Sequence, residues 1–271
     1  MTEKTGLMPK INLLRDKKVL GKSWGQTYNK YFGNKKNMLA FVKKIFPHIP
    51  KKKELKILYA CSGPGFLGED LVSALEKKRI KATLLLVDVS KKHLEQNKNP
   101  KTRKLCSDLL KARIREKFDV IIMRSSLDYF WTEKSQVRIL KKLKRWLNAG
   151  GVFFNQAASM PTLVQRNLAD KIYSSNNKIG KRHFQCDSDI FKIYKKSGFE
   201  KIRKIGTAPE LKISEKEHAE RYSISKEDVK RIQKIIAKIP AKKRPNIKAT
   251  ETGYSMTFIY PIYSAKINEE T

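Results

Sequence analysis

The stretch ILYACSGPGFLG, residues 57–68, decides the fold. An apolar run leads into glycines at positions 63, 65 and 68. The run is typical of a buried strand, and the glycines permit a tight turn with left-handed backbone. A helix that starts after such a turn offers free N–H groups and the positive end of its dipole to a bound anion. The segment therefore predicts a strand–loop–helix unit that holds a nucleotide-like ligand.

The rest of the chain repeats this alternation of strands and helices. Apolar runs predict further strands at residues 83–88, 103–106, 119–123, 152–156, 201–205 and 254–260. Helical periodicity predicts helices at residues 23–47, 133–147, 187–197 and 225–239, with another after the glycine loop and a short one capped by Ser90. This order indicates an α/β fold with a doubly wound, parallel sheet. Ligands of such sheets bind outside the carboxyl ends of the strands.

Length and composition fit one large domain or a domain with an appendage. The chain has 271 residues, of which 40% are apolar. The three cysteines, Cys61, Cys106 and Cys186, are far apart, so we expect neither a disulfide framework nor a metal site. The N-terminal segment has no apolar core typical of a signal peptide, and no apolar run is long enough for a membrane span. A cytoplasmic protein is expected.

The net charge is strongly positive. Sixty Lys and Arg against 26 Asp and Glu give a formal charge of +34. Such a charge favours anionic partners, including nucleic acid. However, the 46 lysines outnumber the 14 arginines and are spread as doublets along the whole chain, without interleaved aromatic residues. The charge alone therefore does not decide between a nucleic-acid substrate and a solvated lysine-rich surface.

Two aspartates bear on the kind of nucleotide. The glycine spacing is shared by nicotinamide-dependent dehydrogenases and by methyltransferases that use S-adenosylmethionine. Asp88 ends the second strand and could accept both hydroxyls of a ribose, which both classes contain; alternatively it caps the helix that starts at Ser90. Asp108, in CSDLL, could accept the exocyclic amine of adenine or could be a solvated loop residue. An acid at this position favours the methyltransferases, because dehydrogenases usually enclose adenine between apolar walls.

The chain resembles the class I S-adenosylmethionine-dependent methyltransferases. The resemblance covers most of residues 20–262 and rests on ILYACSGPG, LLLVDVS, CSDLL, FDVIIMRSSLDYF, LKRWLNAGGVFF, KKSGFEKI and GYSMTFIYPIY. It implies a seven-stranded, mostly parallel sheet with the last strand antiparallel and helices on both faces. It also implies S-adenosylmethionine as cofactor and S-adenosylhomocysteine as product.

The resemblance further implies which residues contact the cofactor. Gly63 and Gly65 would approach its amino-acid part, Asp88 the ribose, and Asp108 with Leu109 the adenine. Arg124 and Ser125 would flank the methyl donor. The full predicted set is Tyr59, Ala60, Cys61, Gly63, Gly65, Asp88, Val89, Ser107, Asp108, Leu109, Arg124 and Ser125.

Two positions depart from the family pattern. Tyr59 stands where the family usually has Asp or Glu, the acid that supports the ammonium end of the cofactor. Cys61 stands where a glycine or alanine is usual, and its side chain is small enough to fit. The departure at Tyr59 predicts a different environment for the amino-acid part of the cofactor.

The methyl acceptor is predicted to be a small molecule. The loop RSSLDYF, after the fourth strand, is not the Asn/Asp-Pro-Pro-aromatic loop of enzymes that methylate amino groups of bases. No cysteine is placed for covalent attack on cytosine, and no RNA-binding module is evident. We expect residues 1–50 to form an N-terminal helical lid. Residues 51–271 would form the methyltransferase domain, with a helical insert at about 207–250.

Several side chains are candidates for contact with the acceptor. Asp128, Tyr129 and His183 could act as a base or orient the acceptor, although a lone histidine is often structural. Further candidates are Trp24, Tyr28 and Tyr31 of the lid, Arg221 of the insert, and Arg182 of the segment GKRHFQ between them. The aromatic residues could instead belong to a helix core, and the arginines could bind an anionic acceptor or pair with Glu220. Three other functions remain open: an RNA or ribosome methyltransferase, an NAD-dependent dehydrogenase, and a non-enzymatic basic binding protein.

Overall fold

A computed structural model describes residues 28–175 and 181–267, and one mixed sheet lies at its centre. The strands are β1 (Glu54–Ala60), β2 (Lys81–Asp88), β3 (Arg103–Cys106), β4 (Phe118–Arg124), β5 (Leu147–Gln156), β6 (Glu200–Ser214), β7 (Ile247–Ala249) and β8 (Tyr254–Lys266). Their order is β3-β2-β1-β4-β5-β8-β6, and the short β7 pairs with β8. Strands β1 to β5 are parallel, whereas β8 is antiparallel to both β5 and β6. The predicted fold class is confirmed, with β7 as a short additional strand.

Helices cover both faces of the sheet. They are α1 (Lys35–Ile45), α2 (Phe66–Glu76), α3 (Lys91–Leu94), α4 (Glu133–Arg145), α5 (Leu163–Ser174), α6 (Asp187–Lys196), α7 (Glu215–Tyr222) and α8 (Lys226–Ala237). Successive residues of β1 point to opposite faces. Ile57 and Tyr59 join the apolar core beneath α1 and α2, while Leu58 and Ala60 join the core beneath α4 and α6. Because both faces are buried from Ile57 to Ala60, this part of β1 has no polar alternation.

The C-terminal part of the sheet is longer than predicted. Strand β6 continues to Ser214, so residues 207–214 are extended where we expected the start of a helical insert. The continuation is held by antiparallel pairing with β8 as far as Ser214 opposite Ser255. Only one face of this edge segment is apolar: Leu211 and Ile213 are buried while Lys212 is exposed. This alternation of apolar and polar residues is short and lies within a lysine-rich sequence, so it did not predict a strand.

The N-terminal helical segment is interrupted. Within the described residues, predicted helix 23–47 consists of a π-helical turn (Tyr28–Phe32) followed by α1. Asn34 separates the two, because its side chain accepts hydrogen bonds from the backbone N–H groups of Lys36 and Asn37 and so caps α1. Trp24 and the side chain of Tyr28 lie outside the described residues. No helix in the described ranges is long and apolar enough to cross a membrane.

Candidate active site

The glycine loop joins β1 to α2 through left-handed backbone. Cys61, Gly63 and Gly65 have φ values of 53°, 55° and 80°. Gly65 occupies the N-cap position of α2, and a Cβ atom there would lie 2.2 Å from Leu86 Cδ1. Gly65 therefore allows α2 to pack closely on β2, whereas Gly63 faces the cavity described below. The two glycines that the sequence placed together have different structural roles.

The carboxylate of Asp88 organises this loop. It ends β2, where one oxygen accepts the Gly63 N–H at 2.8 Å and the other accepts the Ser90 N–H at 2.9 Å. Ser90 in turn caps α3 by accepting the N–H of His93. A carboxylate oxygen has two lone pairs, so Asp88 can still accept hydrogen bonds from a ligand. Both sequence interpretations of Asp88 are therefore compatible with its geometry.

A cavity of about 230 Å³ lies at the carboxyl ends of β1, β2, β3 and β4. It collects all of the predicted cofactor-binding residues except Ala60 and Gly65. The members that line it are Tyr59, Cys61, Gly63, Asp88, Val89, Ser107, Asp108, Leu109, Arg124 and Ser125. Asp108 accepts the Leu110 N–H at 3.0 Å, which fixes the turn after β3. Two carboxylates and a glycine backbone thus converge on one space.

Arg124 lies beside the tyrosine that replaces the usual acid. Its Nη1 donates to the carbonyl of Phe32 at 2.8 Å and its Nε to Gln156 Oε1 at 3.0 Å. Its Nη2 is buried without a hydrogen-bond partner within the described residues. Burial raises the pKa of Tyr59, an effect that nearby Arg124 partly opposes, so the phenol is neutral. This end of the cavity therefore carries a cation instead of the family's acid.

A second group of polar side chains surrounds Tyr129. The guanidinium carbon of Arg182 lies 3.4 Å from the centre of the Tyr129 ring. Arg221 Nη2 lies 3.5 Å from the Tyr129 hydroxyl. Asp128 Oδ2 lies 3.5 Å from Arg182 Nε, and the Asp128 carbonyl accepts the N–H of His183 at 3.0 Å. All of these except His183 line the cavity. The structure thus brings together two predicted arginines and two predicted catalytic candidates.

Apolar side chains complete the cavity on the side of β6 and β8. They are Leu211 and Ile213 from β6, Phe258 and Tyr260 from β8, Tyr222 from α7, Tyr173 from α5, Phe184 and Ala158. The Tyr173 and Phe184 rings meet edge to face with centroids 4.9 Å apart. Except for the arginines, the sequence analysis missed this wall. Met256, Phe258 and Tyr260 alternate with other residues and so share one face of β8, and this pattern could have predicted part of the wall.

Two predicted residues lie away from the cavity. His183 Nδ1 lies 3.3 Å from Asp170 Oδ2, and its ring does not line the cavity. Tyr31 packs against Tyr260 with centroids 5.0 Å apart and donates its hydroxyl to the carbonyl of Pro209. Tyr31 therefore supports the wall from behind, as the helix-core alternative anticipated. Nothing is described for Trp24 or the Tyr28 side chain.

Burial of Asp128 has a consequence for stability. Burial raises the pKa of this carboxyl from 3.8 to about 6, although Arg182 and Arg221 oppose the rise. Between about pH 4 and 6 the folded state holds a proton that the unfolded state has lost, so stability falls as pH rises through this window. We expect the wild type to lose on the order of 2–3 kcal/mol there relative to Asp128→Asn. Urea unfolding of both proteins between about pH 4 and 7 measures this difference; a difference independent of pH would contradict it.

Comparison with known proteins identifies the domain. Residues 62–155 match the family model described as a methyltransferase domain. Residues 62–155 therefore form a methyltransferase domain. The described sheet has the order β3-β2-β1-β4-β5-β8-β6 with β8 antiparallel, and S-adenosylmethionine is the cofactor. This decides against the dehydrogenase that the glycine spacing had left open. None of the curated proteins matches the chain.

Solved structures share the fold of this methyltransferase at low sequence identity. The YcgJ protein from Bacillus subtilis is 14% identical, with 86% of this chain and 98% of that chain covered and a TM-score of 0.67. An S-adenosylmethionine-dependent methyltransferase from Clostridium acetobutylicum is 15% identical, with coverages of 90% and 98% and a TM-score of 0.50. The plantazolicin methyltransferase BpumL, solved with S-adenosylhomocysteine, is 14% identical, with coverages of 97% and 100% and a TM-score of 0.51.

The cavity of this methyltransferase fits its cofactor chemically. S-adenosylmethionine presents ribose hydroxyls and an adenine amine, and the cavity offers the carboxylates of Asp88 and Asp108. The cofactor also carries an amino-acid carboxylate. The buried Nη2 of Arg124 is a donor that lacks a partner among the described residues, and such a group is costly unless a ligand satisfies it.

Proposed function

We propose that the protein transfers the methyl group of S-adenosylmethionine to a small-molecule acceptor. The observation that carries this proposal is the single cavity with two kinds of wall. One wall consists of the strand ends and loops between Tyr59 and Ser125, and the other consists of aromatic and arginine side chains between Tyr173 and Tyr260. A donor and an acceptor could therefore meet within this cavity.

The donor side is assigned by its polar groups. In this proposal Asp88 accepts the ribose hydroxyls, and Asp108 with Leu109 holds the adenine. Gly63 allows close approach of the amino-acid part, and Arg124 binds its carboxylate in place of the usual acid contact. Each charge-assisted hydrogen bond of this kind contributes about 1.5–3 kcal/mol. S-adenosylmethionine supplies an activated methyl group when bound.

The acceptor side is assigned by its apolar lining. Leu211, Ile213 and Tyr222 reach the cavity from the region that we predicted to be an insert, and Phe32 reaches it from the N-terminal lid. Their apolar side chains suit a small organic molecule, and their positions support the proposed division into lid, domain and insert. Because methyl transfer is an in-line displacement, the main task of these residues is alignment, which can lower the barrier by about 7–11 kcal/mol. Asp128 is our candidate base where the acceptor must lose a proton.

Calorimetric titration with S-adenosylhomocysteine tests the donor site. We expect one-to-one binding with micromolar affinity, because several charge-assisted hydrogen bonds converge on the ligand. NADH in the same experiment should not bind. Absence of S-adenosylhomocysteine binding at millimolar ligand would overturn the assignment of the cavity.

The charge of +34 keeps an RNA substrate as the second candidate. A salt titration of binding to a single-stranded RNA separates the two acceptor classes. Submicromolar affinity with a steep dependence of log K on log salt would favour RNA, whereas weak binding would favour the small molecule. We propose a cytoplasmic location, because Cys61, Cys106 and Cys186 are all free, as in a reducing compartment.

A further inference from the structure

We propose that Arg182 and Arg221 together bind a carboxylate of the acceptor, so that the substrate is a monoanionic acid with an apolar body. This inference rests on the proposed function, because it describes the acceptor side of the same cavity. It goes beyond that function by naming the chemical class of the acceptor and the two residues that select it.

Arg182 is a buried cation with unused donors. Its side chain is only 4% exposed. Its Nε faces Asp128 Oδ2 at 3.5 Å, which is long for a charged hydrogen bond, and its Nη1 has no hydrogen-bond partner among residues 28–175 and 181–267. Stacking on the Tyr129 ring fixes the plane of the guanidinium. A fixed plane with a buried, unpartnered N–H group, on a side chain that lines the cavity, is suited to a planar anion such as a carboxylate.

Arg221 approaches the same place from another element. It lies in α7, whose start is fixed by a capping box between Ser214 and Glu217. Its Nη2 is within 3.5 Å of the Tyr129 hydroxyl, and its Nε is buried without a partner in the part of the chain that the structure describes. Two guanidinium groups therefore converge on Tyr129, one over the ring and one at the hydroxyl. Two positively charged guanidinium groups that lie this close together are typical of a site that binds an anion.

The charge balance selects a monoanion. Arg182 and Arg221 contribute two positive charges, and Asp128 contributes one negative charge when ionised. Asp170, the other nearby acid, has its own partners: its Oδ2 lies 3.6 Å from Arg166 Nη1, and its Oδ1 accepts the Phe184 N–H at 2.7 Å. The phenols around the arginines are uncharged. One carboxylate neutralises this part of the cavity, whereas a phosphate dianion would leave it negative.

The neighbouring wall determines the rest of the acceptor. Leu211, Ile213 and Phe258 present apolar surface to the cavity beside the arginines. Apolar walls with a few fixed polar groups are typical of sites for small organic molecules. The combination favours aliphatic or aromatic carboxylic acids over sugars or nucleotides.

The experiment uses protein saturated with S-adenosylhomocysteine and a defined set of probes. The acids are benzoate, phenylacetate, hexanoate and decanoate; benzamide and hexanamide are the neutral counterparts, and inorganic phosphate is the dianionic probe. Binding is measured by calorimetry for the wild type, Arg182→Met and Arg221→Met. Arg138→Met, which removes an exposed arginine of α4, is the matched control. Arg182→Lys keeps the charge but loses the planar pair of donors.

We expect at least one of the acids to bind the wild type and to bind Arg182→Met and Arg221→Met about tenfold or more weakly, as for the loss of a charged hydrogen bond. Arg138→Met should bind like the wild type, and Arg182→Lys should be intermediate. Absence of binding by every acid, equal binding of acids and amides, preference for phosphate, or an equal loss in Arg138→Met would each overturn the proposal. Every variant should retain S-adenosylhomocysteine binding, which also shows that it is folded. Loss of that binding in the wild type would overturn the proposed function instead.

Discussion

Replacing Asp88 by alanine is expected to weaken S-adenosylhomocysteine binding by about ten- to hundredfold. The carboxylate accepts hydrogen bonds from the N–H groups of Gly63 and Ser90, which both line the cavity. It is also the proposed acceptor for the ribose hydroxyls. The substitution removes both the ligand contact and the anchor of the glycine loop. Calorimetric titration of wild type and variant measures the change.

Two further variants show which of these roles dominates. Asp88→Asn keeps the size of the side chain and one oxygen but loses the charge and one acceptor, so an intermediate loss is expected if ligand contact matters most. Glu251→Ala removes an exposed acid in the loop before β8 and serves as the control for net charge. Unchanged affinity in Asp88→Ala, or an equal loss in Glu251→Ala, would refute the assignment of Asp88.

Replacing Gly65 by alanine is expected to reduce the free energy of unfolding by about 2–5 kcal/mol. The backbone at Gly65 has φ of 80°, where an L-residue costs about 1–2 kcal/mol. The added methyl group would also overlap the Leu86 side chain, whose Cδ1 would lie 2.2 Å away. Leu86 is fully buried and cannot move aside freely, so overpacking adds about 1–3 kcal/mol. Urea unfolding measures the loss.

Gly150 provides the matched control for this effect. It has a similar φ of 70°, but a Cβ atom there would meet nothing within 4 Å. Gly150→Ala should therefore show only the backbone cost of about 1–2 kcal/mol. The difference between the two variants isolates the contact between the glycine loop and β2. Equal losses would show that Leu86 does not constrain the loop.

The part of the cavity proposed for the methyl donor could largely be predicted from the sequence. Long apolar runs identify β1, β2 and β4 because strands buried on both faces need no polar residues. In a parallel sheet the residues that follow such strands must meet at one edge. Once the strands were located, Asp88, Asp108 and Arg124 were therefore placed at the same edge. The separate roles of Gly63 and Gly65 could not be predicted, because they depend on contact with Leu86 from another strand.

The acceptor half depends on tertiary contacts that leave little trace in the sequence. Arg182 and Arg221 are separated by 39 positions and meet only because both approach Tyr129. His183, the neighbour of Arg182, carries the more familiar catalytic side chain, yet its ring is directed to Asp170. Which of two adjacent side chains reaches the cavity is decided by local backbone geometry. The extension of β6 to Ser214 could not be predicted for a related reason. An edge strand with one apolar face shows only a weak alternation of apolar and polar residues.

The long antiparallel pair β6 and β8 has a consequence for how this protein can change. Its side chains Leu211, Ile213 and Phe258 line the part of the cavity proposed for the acceptor, while the residues proposed to hold the donor come before position 126. Substitutions at separated sites without shared partners act almost independently. The wall on β6 and β8 can therefore be redesigned in the laboratory while the residues proposed to hold the methyl donor are kept.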